Sequence, residues 1–226
     1  MTDFSVLDNA IWASLTAGHA AMARANGDAR RYPSDVSPLA GLREQSASAF
    51  ADLRALVDPG EGVALFTVEP FGTPDGWEVV RSRWIDQMIW AGPTEAPSAP
   101  ALVLGERDAP EMTALAAATE PGPFMDGTIR MGHYIGTRSP EGRLIAMAGE
   151  RLKPDGFTEI SAVCTRPEHR GRGLARSLVA LMVARVLGEG RTPFLHVKSE
   201  NAAKSLYESL GFRFRRAIHL TAITPR

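Results

Sequence analysis

Two arginines alternate with two glycines in Arg170-Gly171-Arg172-Gly173, and this pattern carries the clearest chemical meaning in the chain. The residues that follow read as a helix: Leu174, Leu178, Leu181 and Met182 recur at i, i+4, i+7 and i+8 and make one apolar face. A helix that opens on Gly173, Leu174 and Ala175, without a bulky polar cap, presents unpaired N–H groups at its positive end. That end is a socket for an anion, above all a phosphate. Gly171 and Gly173 let the backbone approach a ligand closely, and Arg170 and Arg172 add charge and donors.

Such a socket needs elements to hold it. Phe157–Thr165 carries a short apolar run and is expected to be a buried strand, ended by Pro167, which has no N–H and a fixed φ. The long helix is expected to run from Leu174 to Gly188–Gly190, followed by a strand over 194–197 and a helix over 202–210. Gly211 then stands where a left-handed C′ residue belongs, and Phe212 where that motif wants an apolar contact.

With these elements in order, Arg170-x-x-Gly173-x-Ala175 matches the Q/R-x-x-G-x-G/A acetyl-CoA pyrophosphate motif, and the chain resembles the GNAT superfamily of N-acetyltransferases. The segment Asn201-Ala202-Ala203-Lys204-Ser205-Leu206-Tyr207-Glu208-Ser209-Leu210-Gly211-Phe212 is similar to the family's N-x-x-A-x-x-L-Y-x-x-x-G-F signature in full. The resemblance implies an α/β (α+β) fold whose central mixed, largely antiparallel sheet is flanked by helices. It covers residues 98–226, with a smaller N-terminal α/β region over 1–97 whose role, including that of a degenerate copy of the second half, stays open.

The resemblance also implies roles. Arg170, Gly171, Arg172, Gly173, Leu174 and Ala175 would hold the pyrophosphate of acetyl-CoA, a co-substrate. Val163, Cys164 and Thr165 would offer backbone groups to the two amides of the pantetheine arm, as a strand edge does for a peptide. Tyr207 would protonate the departing thiolate; a thiol pKa of about 8.5, by analogy with cysteine, suits a donor of similar or higher pKa. Asn201 serves equally as a helix cap or as a contact to the arm. Glu159 lies eleven residues before Arg170, the spacing at which some lysine-acetylating members carry a general base; Glu150, His133 and His196 are alternatives. The implied reaction is direct acyl transfer to a primary amine in a ternary complex, the acceptor being a small amine, an amino acid or a protein amine. The rival is a non-catalytic acyl-CoA sensor.

Composition bounds the rest. The chain has 226 residues, 44% hydrophobic, with net charge −1 and pI near 6.5, so no global basic field speaks for nucleic acid or an anionic membrane. A single cysteine, Cys164, rules out an internal disulfide and suits a reducing compartment; it reads as a buried small residue rather than a nucleophile. No zinc-type Cys/His spacing occurs and no metal is expected. Without a signal-peptide pattern or a long apolar span, the expected location is the cytoplasm, and a homodimer is an admissible assembly.

In the first half, helices are expected over 8–25 and 42–57 and a strand over 63–68. Trp77–Trp90 mixes strand-like and helix-like spacing, and Ala91–Pro100, with its helix breakers, reads as the linker that holds the domain boundary. After it come a strand over 101–104, a helix over 109–119 and an antiparallel pair, Tyr134–Arg138 with Leu144–Leu152. The chain is expected to close on a strand over 213–223.

Overall fold

The computed structural model describes residues 3–93, 100–201 and 203–226. A 3-10 turn, Ser5–Asn9, leads into α1 (Ala10–Thr16), and β1 (Arg24–Asn26), β2 (Ala29–Arg31) and β3 (Ala40–Leu42) form a small antiparallel sheet. Then follow α2 (Ala47–Arg54), β4 (Val63–Thr67), β5 (Trp77–Trp90), β6 (Leu102–Leu104), α3 (Ala109–Thr119), β7 (Tyr134–Arg138), β8 (Leu144–Glu150) and β9 (Phe157–Thr165). The chain ends with α4 (Leu174–Gly188), β10 (Thr192–Lys198), α5 (Lys204–Ser209) and β11 (Phe212–Pro225).

The large sheet runs β4-β11-β5-β10-β9-β8-β7-β6. Its pairs are antiparallel except β9 with β10, so the mixed, largely antiparallel sheet flanked by helices is as expected. Strand alternation sorts the core into two faces. On one face Met88, Ala146, Ala148 and Leu195 meet Leu178, Val179, Met182 and Val183 of α4 together with Tyr207 and Leu210. On the other, Met147 and Cys164 meet Met112, Leu115 and Ala116 of α3, and Phe66, Ile85 and Phe194 meet Leu7, Ile11 and Leu15. Each buried Leu, Ile, Val, Phe or Met side chain among these stabilises the fold by roughly 1.5–3 kcal/mol.

The first half differs from its expected pattern. The helix expected over 8–25 stops at Thr16, because Gly18 packs directly on the β8–β9 turn. Its N–H donates to Lys153 O at 3.2 Å, and a Cβ on Gly18 would lie 2.6 Å from Lys153 Cβ. The helix expected over 42–57 is α2 alone: Leu42 pairs with Ala29 in β3, and Ser46 sets the start by accepting the Ala49 N–H at 3.2 Å. Trp77–Trp90 is one long strand, wedged between β10 and β11. The helix expected over 202–210 is α5, and residue 202 lies outside the described residues. The boundary expected at 97/98 also lies outside them, and β5 before it and β10 and β11 after it are hydrogen-bonded in one sheet. Among the described residues no helix is long and apolar enough to cross a membrane.

Candidate active site

The site begins where two parallel strands part. β9 and β10 pair only from Phe157↔Thr192 to Glu159↔Phe194. On its other side β9 carries a bulge: Met147 pairs with Cys164 and Gly149 with Ser161, which leaves Ala162 and Val163 opposite Ala148 alone. Ala162 takes a left-handed φ of 53°, a conformation that costs a residue with a Cβ on the order of 1–2 kcal/mol. The extra residue bends β9 away from β10, so residues 161–165 have no strand partner on the side of the gap. Val163, Cys164 and Thr165 therefore line a cavity.

The turn after β9 supplies the second part. Pro167–His169 makes a 3-10 turn, and Gly171 and Gly173 follow with φ of 75° and 76°. Gly173 stands at the N-cap of α4 with no side chain to bond the amides, and the first helical bond is Ser177 N–H to Gly173 O at 3.0 Å. A Cβ at either glycine would meet no protein atom within 4 Å. These glycines thus serve the left-handed turn and the approach of a ligand rather than a crowded protein contact. Arg170 donates from Nε to Thr165 O at 3.3 Å and Arg172 from Nη2 to Glu168 O at 3.4 Å; both remain exposed at the cavity with Leu174 and Ala175. Thr165 Oγ1 and His169 Nδ1 are buried here without a hydrogen-bond partner. An unpaired buried polar atom costs about 1–3 kcal/mol, so two of them lining a socket of amides and arginines fit a polar, anionic ligand such as a pyrophosphate arm.

Tyr207, on α5, is 8% exposed and packs edge-on against Phe212, with ring centroids 6.1 Å apart. Burial, with Cys164 nearby, pushes its pKa up to about 12, so the phenol stays a proton donor through the neutral range. It lines the cavity, and the described residues offer its hydroxyl no hydrogen-bond partner. Cys164 is buried, with burial pushing its thiol up to about 11, which suits a packing residue rather than a nucleophile. Asn201 caps the turn into α5: its Oδ1 accepts the Ala203 N–H at 2.9 Å, and the residue also borders the cavity.

Glu159 corrects the expectation of a base on β9. It is fully buried and is not among the cavity-lining residues. Arg151 grips it with two bonds, at 2.6 and 2.9 Å, and His196 Nδ1–H donates to it at 2.8 Å. Burial alone would raise its pKa; the Arg151 guanidinium and His196 outweigh burial and bring it down to about 2. A carboxylate so held is a poor proton acceptor and instead fixes the two side chains that do reach the cavity. His196 Nε2 is occupied as well, accepting from Gln87 Nε2 at 3.0 Å, an orientation set by Gln87 Oε1 accepting from Arg215 at 2.7 Å. The alternative Glu150 is buried against Lys153, and His133 lines a separate, smaller cavity.

The main cavity, about 1410 Å³, extends past the socket. Its far wall comes from the first half, with Leu39, Ala64, Phe66, Arg81, Arg83 and Ile85 beside Leu220 and Ala222 of β11. Near the socket it is bordered by the C-terminal turn of α3, where Thr119 contacts the Cys164 thiol and Glu120 follows at φ 49°, ψ 50°. Glu120 is the one carboxylate among the described lining residues. Sequence reasoning missed Glu120, Arg81, Arg83 and Arg151. Only the left-handed cap before Pro121-Gly122-Pro123 left a trace, as a helix end; strand arginines carry no local signal of the cavity they will face.

The FR47-like protein family matches residues 134–219. A solved structure from Novosphingobium aromaticivorans, assigned as an acetyltransferase from the GNAT family, is 42% identical, with a TM-score of 0.90, and the match covers 97% of this chain and 98% of that one. A GCN5-related N-acetyltransferase from Kribbella flavida (19% identity, TM-score 0.63, 95% of each chain) shares the fold. So does a GNAT-family acetyltransferase from Colwellia psychrerythraea (16% identity, TM-score 0.55, 99% of this chain and 98% of that one). No curated protein matches.

Proposed function

The chain belongs to the GNAT family of acetyltransferases, and on that premise we propose that it transfers an acetyl group from acetyl-CoA directly to a primary amine within a ternary complex. The observation that carries this reading is the continuity of one cavity from the glycine turn at the start of α4, past the splayed edge of β9, to Tyr207 and on to a second wall. Arg170 to Ala175 hold the pyrophosphate through backbone amides and two guanidinium groups. Residues 163–165 take the pantetheine arm along the unpaired edge.

An ammonium has no lone pair and must lose a proton before it attacks. Glu120, the carboxylate on the cavity, accepts that proton directly or through water. The free amine attacks the thioester carbonyl and forms the carbon–nitrogen bond. As the carbon–sulfur bond breaks, the Tyr207 hydroxyl gives its proton to the coenzyme A thiolate, and the proton shed by the new amide nitrogen returns through water to the tyrosinate. Glu159 acts only through Arg151 and His196, as a positioning residue.

The test has two steps. Calorimetric titration of acetyl-CoA measures the socket, and thiol release across a panel of amines measures transfer, in wild type and in Glu120→Gln. Binding together with amine-dependent thiol release is expected, with kcat/KM about 10²-fold or more lower in Glu120→Gln. Binding without thiol release on any amine would sink the transferase reading; unchanged rates in Glu120→Gln would remove only the base.

A further inference from the structure

Beyond the socket, the charge of the cavity wall is one-sided. Arg81 and Arg83 sit two apart on β5, and both line the cavity. In a regular strand Val80 and Arg81 would face opposite sides. The register between β5 and β11 shifts between Ala222 and Ile223, so Val80 has no partner across the ladder and both residues border the cavity. The bulge thus adds Val80 to the wall, while Arg81, Arg83 and Ile85 line it by ordinary alternation. Opposite the two arginines stand Leu220 and Ala222, which cannot neutralise them.

Several sheet arginines elsewhere in the molecule are paired. Arg151 binds Glu159, Arg215 and Arg216 bind Asp8, and Arg138 binds Asp108 and Glu111. Glu61, next to the wall-lining Gly62, is held by Arg31 at 2.7 Å and is not available to the wall. Among the described residues neither Arg81 nor Arg83 has an ion-pair or hydrogen-bond partner. Arg151 is neutralised by Glu159, and Lys198 of β10, opposite Ile85, adds a third cation to the lining, so the net charge of this side of the cavity is positive. β5 is two strands from β9, roughly 10 Å at ordinary strand spacing, so the arginines stand away from the reacting carbonyl but within the same cavity.

We propose that the acyl acceptor is a small amine that also carries a carboxylate, held by Arg81 and Arg83 while its amino group faces the thioester beside Glu120. This inference rests on the transferase reading and adds the acceptor's class. Guanidinium groups suit a carboxylate because they offer paired donors in a plane, and a charge-assisted bond of this kind is worth roughly 10- to 150-fold in specificity.

The experiment measures kcat/KM at saturating acetyl-CoA for amino acids of different chain length, each paired with its own carboxamide. It uses wild type, Arg81→Gln, Arg83→Gln and the double variant, with Arg83→Lys as the conservative change. Wild type is expected to prefer the acids over the amides by about tenfold or more. The double variant is expected to collapse that ratio, mainly by raising KM for the acids, and Arg83→Lys to keep part of it. Calorimetry with acetyl-CoA on each variant reports whether it is folded and whether the arginines serve the coenzyme instead. Equal rates for acids and amides, a preference that survives in the double variant, or a loss of acetyl-CoA affinity there would each overturn the proposal and leave the transferase standing. No turnover of any acceptor by wild type that binds acetyl-CoA would remove the transferase reading and this inference with it.

Discussion

Tyr207 and Glu120 reach the cavity by opposite physical routes. The tyrosine is held in the core by Phe212, and burial keeps its proton in place at any pH where the protein works. Glu120 is exposed at the end of α3, in a left-handed conformation that glycine or asparagine would adopt with less strain. Replacing Tyr207 by Phe removes only the hydroxyl. Turnover is expected to fall about 10²–10⁴-fold with the acetyl-CoA dissociation constant little changed, as read by steady-state kinetics beside calorimetry. Full turnover in Tyr207→Phe would show that water protonates the thiolate instead. Because the phenol's pKa lies near 12, no alkaline loss of rate below about pH 10 should be traceable to this group.

At the scale of elements, the decisive features are two departures from regular geometry: the β9 bulge at Ala162 and the paired left-handed glycines before α4. The bulge opens the gap, and the glycines turn the chain so that the α4 amides face it. Gly173→Ala places a Cβ in space empty of protein atoms, so its cost is conformational, about 1–2 kcal/mol. The same Cβ enters the volume assigned to the pyrophosphate. Acetyl-CoA affinity is therefore expected to fall about tenfold or more, beyond what the loss of stability explains. A variant that loses stability in a denaturant melt but binds acetyl-CoA as tightly as wild type would place the pyrophosphate elsewhere.

For the molecule as a whole, the first half is locked to the sheet by a buried polar cluster. His19 Nδ1 contacts the Tyr32 hydroxyl at 2.8 Å, and its Nε2 donates to Met131 O at 2.8 Å. Ser14 Oγ accepts the Lys153 N–H at 2.8 Å. Burial lowers the His19 pKa to about 4. An unfolded histidine takes up a proton below about pH 6.5, while the folded one does so only near 4, so between these values the unfolded chain binds more protons. Stability is therefore complete above pH 6.5 and falls as the pH drops toward 4, by up to about 3 kcal/mol from this residue. Glu159, with its pKa lowered to about 2, adds a further loss from about pH 4.5 downward as its unfolded form is protonated first. Urea midpoints at pH 7 and pH 4.5 test this: His19→Gln should be less stable at pH 7 yet less sensitive to acid, and an unchanged slope would assign the acid loss to other groups.

What the sequence by itself determined was local. The 157–165 strand, the helix beginning at Leu174, the 109–119 helix and the glycine turn are written in apolar period, breakers and caps, which act over a few residues. The tertiary structure decided what those patterns meet. Trp77–Trp90 had no resolvable period because its faces serve two cores and a cavity wall, and only pairing with β10 and β11 makes it a central strand. Glu159 reads locally as a reachable carboxylate; Arg151, eight residues away across a hairpin, and His196 from another strand close around it. Arg81 and Arg83 look like surface charges until the pairing of β5 with β11 and the first-half wall put their face of the strand on the cavity. The physical reason is the same each time: backbone preference is set by neighbours in sequence, whereas burial, ion pairing and proton affinity are set by neighbours in space.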